Sequence, residues 1–439
     1  MSPTRRQFMK ESGSTLLGAA ALGHLAPQLL FAEDEPKDGP SPPTLVAVYL
    51  RGGADSLNSI VPYGDPLYYK LRPNIAIAAP GTGRGRSALK LNNFFGLHPS
   101  MEPLLPLFER GHVAPIINAG SPHQTRSHFD AQDFMERAAP GMRQVTEGWL
   151  NRFLQATRSN DDSKFRALSI QPTLPRSLRG QYPVLAIPGF GIEHALHTFD
   201  SLYACTEQKR MEQAQKAVLA GSQQMRKKVI DAGAATISQM RELQHILEAP
   251  VHHLAEYPQG GFGNQMRDLA KLVKSERGLQ IAAVDYGGWD HHTYMGHSEG
   301  VMARMLGDVS GTLAAFAQDL GPHFNRVLVL LMSEFGRTVR ENGNAGTDHG
   351  HGGFMLAMGG MVKGRKIYGK WTGLTPQSLN ENRDMPVHTD FRQVFAEALR
   401  DLYGFNAFEK NFFPGYNDRA NPIDFLHPVV SDGSAVVNS

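Results

Sequence analysis

Asp348, His349 and His351 lie within four residues of one another in the string Gly346-Thr347-Asp348-His349-Gly350-His351-Gly352-Gly353. One carboxylate and two imidazoles so close together, among glycines that let backbone approach a bound ion, offer the oxygen and nitrogen donors that zinc, manganese, iron, magnesium and calcium accept. Asp290 and His292 occupy alternate positions of Gly287-Gly288-Trp289-Asp290-His291-His292, so both side chains can reach one ion from an extended turn. Glu334, in Ser333-Glu334-Phe335-Gly336-Arg337, directly follows an apolar run. A carboxylate at the mouth of a buried strand is costly unless it is paired or coordinated, and Arg337 is a candidate partner. Asp55 ends the turn Arg51-Gly52-Gly53-Ala54-Asp55, where a carboxylate either caps a helix or ligates metal. Thr125, Arg126, Ser127 and His128 form a different kind of group. A hydroxyl at a helix start meets free backbone N–H groups and the positive end of the helix, which favours an anionic substrate or an alkoxide nucleophile. Thr125 and Ser127 are equal candidates.

These groups need elements that bring them together. Thr44–Leu50, His112–Asn118, Leu279–Val284, Arg326–Met332 and Phe354–Met358 are short apolar runs that read as buried strands. Helical patterns occupy about 264–276 and 297–320, and another begins near Ser127. Strand alternating with helix predicts an α/β fold with a largely parallel sheet covered on both faces. Sites in such sheets gather at the carboxyl ends of the strands, and every group above lies at or just after such an end. A Gln/Lys/Glu/Ala-rich stretch over 201–250 predicts amphipathic helices, either on the surface or as a cap over the site.

Bulk composition narrows the function. The chain has 439 residues, with Lys+Arg 44 against Asp+Glu 42. That balance supplies no basic field for nucleic acid. Cys205 is the sole cysteine, which excludes an intrachain disulfide and thiolate-rich metal sites. Thr4-Arg5-Arg6-Gln7-Phe8-Met9-Lys10 matches the twin-arginine export pattern, and an Ala/Gly-rich apolar region follows from about Ser14 to Ala32. Gly18, Gly23, His24 and Pro27 make that region a poor membrane span, so cleavage near Ala32 is expected rather than a stable transmembrane anchor. The domain plan is a signal over 1–32, a Pro-rich linker over 33–43, one domain over 44–430 and a flexible tail over 431–439.

The order of these groups (strand–Asp, strand–hydroxyl–helix, strand–Asp/His, strand–acid, then His before a strand) resembles the alkaline phosphatase superfamily, which includes the sulfatases. More closely, Tyr49–Asn58, Thr125–Asp130, Gly287–Asp290, Ser333–Arg337 and Thr347–Gly353 resemble a domain-of-unknown-function family, number 1501, placed in that superfamily. The resemblance implies a three-layer α/β/α sandwich. It implies two divalent ions held among Asp55, Asp290, His292, Glu334, Asp348, His349 and His351, with Thr125 or Ser127 as nucleophile beside Arg126 and His128. His351 corresponds to the superfamily's last His ligand. Three departures stand out: Asp290 and His292 are separated by one residue where the superfamily has three, Phe335 replaces a His, and no Cys/Ser-x-Pro-x-Arg string occurs.

The expected function is an exported, periplasmic or secreted bacterial hydrolase of small-molecule or glycan phosphate or sulfate esters, carried by the twin-arginine machinery. A non-catalytic envelope or glycan-binding protein, and a carboxylate/His metal oxidoreductase, are the alternatives.

Overall fold

The computed structural model describes residues 41–82, 86–160, 162–171, 173–187, 237–249, 253–408, 411–416 and 422–429. The expected export signal, most of the linker, most of the 201–250 insertion and the tail fall outside the described residues. Eight strands form the main sheet: β1 (Thr44–Arg51), β2 (Val113–Gly120), β3 (Ala167–Ser169), β4 (Leu185–Ala186), β5 (Ile281–Gly287), β6 (Val327–Met332), β7 (Gly353–Gly359) and β8 (Thr389–Asp390). Their spatial order is β8-β2-β7-β6-β1-β5-β3-β4. The five strands expected from apolar runs all form, each shifted by one to three residues at its ends. The brief β3, β4 and β8 were not among the expected strands.

The central strand β1 pairs in parallel with β5 on one side and β6 on the other. Its sequence, Thr-Leu-Val-Ala-Val-Tyr-Leu-Arg, is apolar at nearly every position because both faces are covered. Val46, Val48 and Leu50 pack with helices α3 (Gly261–Lys274) and α4 (Val301–Leu320). Leu45, Ala47 and Tyr49 pack on the opposite face with α1 (His128–Glu136), α2 (Trp149–Ala156) and α5 (Phe391–Tyr403). Helix α4 shows the sequence logic: Met302, Leu306, Val309, Leu313, Phe316 and Leu320 recur at helical spacing and are all buried. The architecture is a three-layer α/β/α sandwich.

One strand breaks the parallel pattern, and the site depends on it. β7 runs antiparallel to both of its neighbours, β2 and β6. Its first residue therefore lies at the edge where β1, β2, β5 and β6 end. The loop 346–352 enters the sheet at that edge while the other four groups leave it.

Two buried polar features have consequences for stability. Asp55 caps the one-turn helix Ser56–Ser59 by accepting from the Asn58 amide, and both of its oxygens are held by Arg72 at 2.8 Å. Arg72 is wholly buried and also donates to the Val339 and Thr338 carbonyls. His98 is wholly buried as well. Its Nδ1 accepts from the Ser100 amide and its Nε2 donates to the His297 carbonyl, which fixes the turn Pro99–Leu104.

Asp55→Ala leaves a buried guanidinium without its counter-charge, and chemical denaturation is expected to show a loss of about 3–5 kcal/mol. Burial pushes the His98 imidazole down from 6.5 to about 4. Between those values the unfolded chain binds the proton and the folded chain does not. The stability that His98 contributes is therefore complete above pH 6.5 and is lost as pH falls towards 4, with a slope of at most ~1.4 kcal/mol per pH unit. With chelator present to remove any metal effect, the melting temperature should drop between pH 7 and pH 5, and His98→Asn should flatten that drop. An unchanged slope would show that His98 does not titrate in this way.

Candidate metal centre

At the carboxyl edge of the sheet three imidazoles converge. His128 Nε2 and His292 Nε2 each lie 3.0 Å from His349 Nε2. Asp290 joins them: Oδ1 is 3.0 Å from His292 Nε2 and 3.2 Å from His349 Nε2, and Oδ2 is 3.3 Å from His128 Nε2. His128, Asp290 and His349 have ligand atoms all within 4.8 Å of one another, the spread of a metal-binding group. Three segments contribute. His128 opens α1 after β2, Asp290 and His292 follow β5, and His349 lies on the loop before β7.

The far side of each ring identifies its chemistry. His128 Nδ1 lies 2.7 Å from Glu334 Oε1, His292 Nδ1 lies 3.0 Å from Asp348 Oδ1, and His349 Nδ1 lies 2.7 Å from the Arg126 carbonyl oxygen. All three partners are acceptors, so each Nδ1 carries a proton, and in the neutral ring each Nε2 presents its lone pair. Three lone pairs and a carboxylate facing one another repel unless a cation lies between them. Histidines tied by carboxylate or carbonyl at one nitrogen and free at the other are the usual arrangement around a metal. The donor set therefore fits a divalent ion of the zinc, iron or manganese type.

Charge around the cluster is finely opposed. Burial disfavours ionisation of Glu334, but hydrogen bonds from His128 and Gln132 outweigh it and hold the carboxyl below its ordinary range. Glu334 Oε1 also accepts from the Gly52 amide and from Gln132 Nε2, both at 2.9 Å. The same Glu334 bond raises His128, whereas burial lowers His349. Burial also works against the Asp290 carboxylate, yet Arg337 more than compensates and its carboxyl is lowered. Burial is likewise overcome at Asp348, by hydrogen bonds from Asn342 and His292. Phe335 packs its ring 4.9 Å from the His128 ring and 5.2 Å from that of His349.

The structure brings together only part of the residue set drawn from the sequence. Asp290, His292 and His349 meet. His128, expected as a catalytic neighbour, stands among them. Glu334 and Asp348 lie behind the imidazoles as acceptors, and Glu334 pairs with His128 rather than with Arg337. Asp55 is not at the cluster, because Arg72 holds both its oxygens. His351 turns away and lines a neighbouring groove, where burial lowers it to about 4. Among the described residues one candidate metal-binding group is found, formed by His128, Asp290 and His349. Arg126 is committed to Asp384 and Glu381, at 2.6 and 2.7 Å. Thr125 Oγ1 accepts from the Ser127 amide at 3.3 Å, whereas Ser127, the N-cap of α1, makes no capping bond and is exposed.

Three contributors were missed: Gln132, Asn342 and Arg72. Gln132 lies one helical turn beyond His128, a spacing that could have flagged it. Asn342 donates to Asp348 Oδ1 and to the His292 carbonyl, and nothing in its sequence neighbourhood marks it. The glycines also have a different reason from the one expected. A Cβ on Gly336 would overlap Gly352, one on Gly350 would overlap Arg337, one on Gly352 would overlap Pro386 and one on Gly346 would overlap His292. They admit neighbouring backbone rather than an ion.

No curated protein matches the chain in sequence. Among solved structures, the C-terminal periplasmic domain of EptC from Escherichia coli, in complex with Zn, aligns with 74% of this chain and 75% of its own at 11% identity and TM-score 0.30. The PsFucS1 sulfatase from Pseudoalteromonas sp. aligns over 88% and 71% at 12% identity and TM-score 0.32. The phosphonate monoester hydrolase of Agrobacterium radiobacter aligns over 82% and 73% at 8% identity and TM-score 0.32. In sequence, residues 43–410 match the family described as protein of unknown function (DUF1501), and the chain belongs to that family.

Proposed function

We propose that the protein is an exported metal-dependent hydrolase of phosphate or sulfate esters, built around one divalent ion. The observation that carries this reading is the convergence of three Nε2 atoms and the Asp290 carboxylate, with every Nδ1 tied to an acceptor. His128, His292, His349 and Asp290 would hold the ion. When bound, it supplies Lewis-acid polarisation of an ester oxygen. Glu334 and Asp348 fix the ring tautomers, and Arg337 fixes Asp290. Of the two hydroxyls Ser127 is favoured as nucleophile, because it directly precedes His128 and its side chain caps nothing. Its Oγ would bond phosphorus or sulfur, giving its proton to solvent as the ester alcohol leaves, and water would then release the anion. The twin-arginine string at Thr4–Lys10 supports export to the periplasm or beyond, by a route that carries folded, metal-loaded cargo. The partners are then that export machinery and a small-molecule or glycan ester.

A second reading is a mononuclear iron or manganese oxidoreductase. Three imidazoles and one carboxylate suit those metals equally. It is favoured by the commitment of Arg126 and Arg337 to carboxylates, which leaves neither to neutralise substrate oxygens.

With aryl phosphates and aryl sulfates as substrates, Asp290→Asn and His349→Ala should bring turnover to background in variants whose melting curves show a cooperative folded state. Turnover equal to the parent's in either variant ends the hydrolase reading. Tight metal binding with no turnover of any ester supports a non-catalytic role, and visible absorbance from bound iron supports the oxidoreductase. Glu334→Gln keeps an acceptor facing His128 Nδ1 but removes the negative charge. Metal affinity, measured by competition with a chromogenic chelator, should fall about 10–100-fold.

A further inference from the structure

Beside the metal centre lies a groove of about 830 Å3 whose chemistry differs from it. Gln124, Thr372, Gln377, Ser378, Asn380 and Gln393 line it, with apolar surface from Pro122, Leu379, Pro386 and Val387. No lysine or arginine is among the lining residues. The one carboxylate, Asp390, is already matched by Arg392, with Nε–Oδ1 at 3.0 Å and Nη2–Oδ2 at 2.6 Å. The walls are cross-linked by Asn380 Nδ2 donating to Gln124 Oε1 at 3.1 Å.

The groove and the centre share a partition. The Arg126 carbonyl faces the centre through His349 Nδ1, while its guanidinium pairs with Glu381 and Asp384, on the segment that follows Asn380. Gln124 lies on the loop that leads into His128 at the start of α1, and His349 and His351 share the loop before β7.

A surface of amides and hydroxyls, each able to donate and accept, interrupted by small apolar patches, is suited to rings carrying many hydroxyl groups. It offers no lysine or arginine to a second anionic group, only the imidazoles of His351 and His388. We infer that this groove binds the uncharged carbohydrate portion of an ester whose anionic group sits at the His128, Asp290, His292 and His349 centre. The inference rests on the ester-hydrolase reading for the placement of the anionic group, but not for the groove itself.

The test is isothermal titration of the full chain with a panel of neutral tri- to hexasaccharides (gluco-, manno-, galacto- and xylo-linked), with and without chelator. At least one member should bind with one site per chain in both conditions. Gln377→Ala and Asn380→Ala should each weaken it roughly fivefold or more, as loss of a hydrogen bond of about 1 kcal/mol requires. Asp290→Asn should leave the affinity within about twofold, since its charge lies outside the groove. If the protein hydrolyses aryl esters yet binds no neutral oligosaccharide, or if Gln377→Ala and Asn380→Ala bind as the parent does while melting normally, the groove assignment is overturned and the ester reading stands. If oligosaccharide binding depends on Gln377 and Asn380 but no ester, simple or glycan-borne, is turned over, the groove assignment stands and the hydrolase reading is lost.

Discussion

The Arg337 guanidinium holds the carboxyl edge of this sheet together. It is buried, and it donates to the carbonyls of Gly52, Gly53, Trp289 and Thr347 and to Asp290 Oδ1. Those partners belong to the loops after β1 and β5 and to the loop before β7, while Arg337 itself follows β6. A buried guanidinium is tolerable only with its donors satisfied, so each loop must lie where its carbonyl can meet one. The geometry of the metal centre follows from that requirement. Asp290 is oriented directly, and His292 and His349 are placed by the segments that Arg337 ties down.

Close backbone approach is the second condition. Gly336, Gly346, Gly350 and Gly352 each stand where a side chain would overlap a neighbouring segment. Gly52, at φ +123°, lies so that a Cβ would be 2.7 Å from the Asp290 amide nitrogen. With the loops pressed together, the Gly52 amide reaches Glu334, and Glu334 in turn reaches His128. The chain of contacts from backbone packing to imidazole tautomer is short, and each step is a hydrogen bond between buried groups. Such a network is stiff, and it leaves the imidazole lone pairs facing one another, which an ion would relieve.

Much of this was legible in the sequence. Strand and helix periodicity located the five long strands and the helices α1, α3 and α4, because burial on both faces forces unbroken apolar runs. The rule that sites gather at strand ends pointed to the edge where the three imidazoles converge. The antiparallel insertion of β7 was not legible, yet it is what delivers His349 to that edge. Partnerships were the least visible feature. Asp55 carries the sequence context of a ligand and the structural context of an ion pair, and only the fold brings Arg72 to it. His349 and His351 look equivalent in sequence, but the backbone packing at Gly350 and Gly352 sends them to different cavities. Glu334 and Asp348 stand behind the rings as hydrogen-bond acceptors, and sequence cannot tell a residue that touches an ion from one that orients its ligand.

The proposed centre holds one ion among three imidazoles and one carboxylate, with Glu334 and Asp348 behind the rings. X-ray absorption at the edge of the metal that copurifies with the full-length protein, combined with elemental analysis, tests it most directly. The account predicts one ion per chain with three imidazole nitrogens and a carboxylate oxygen in its coordination shell. Two ions per chain, or a shell dominated by carboxylates with fewer than three imidazoles, would contradict it.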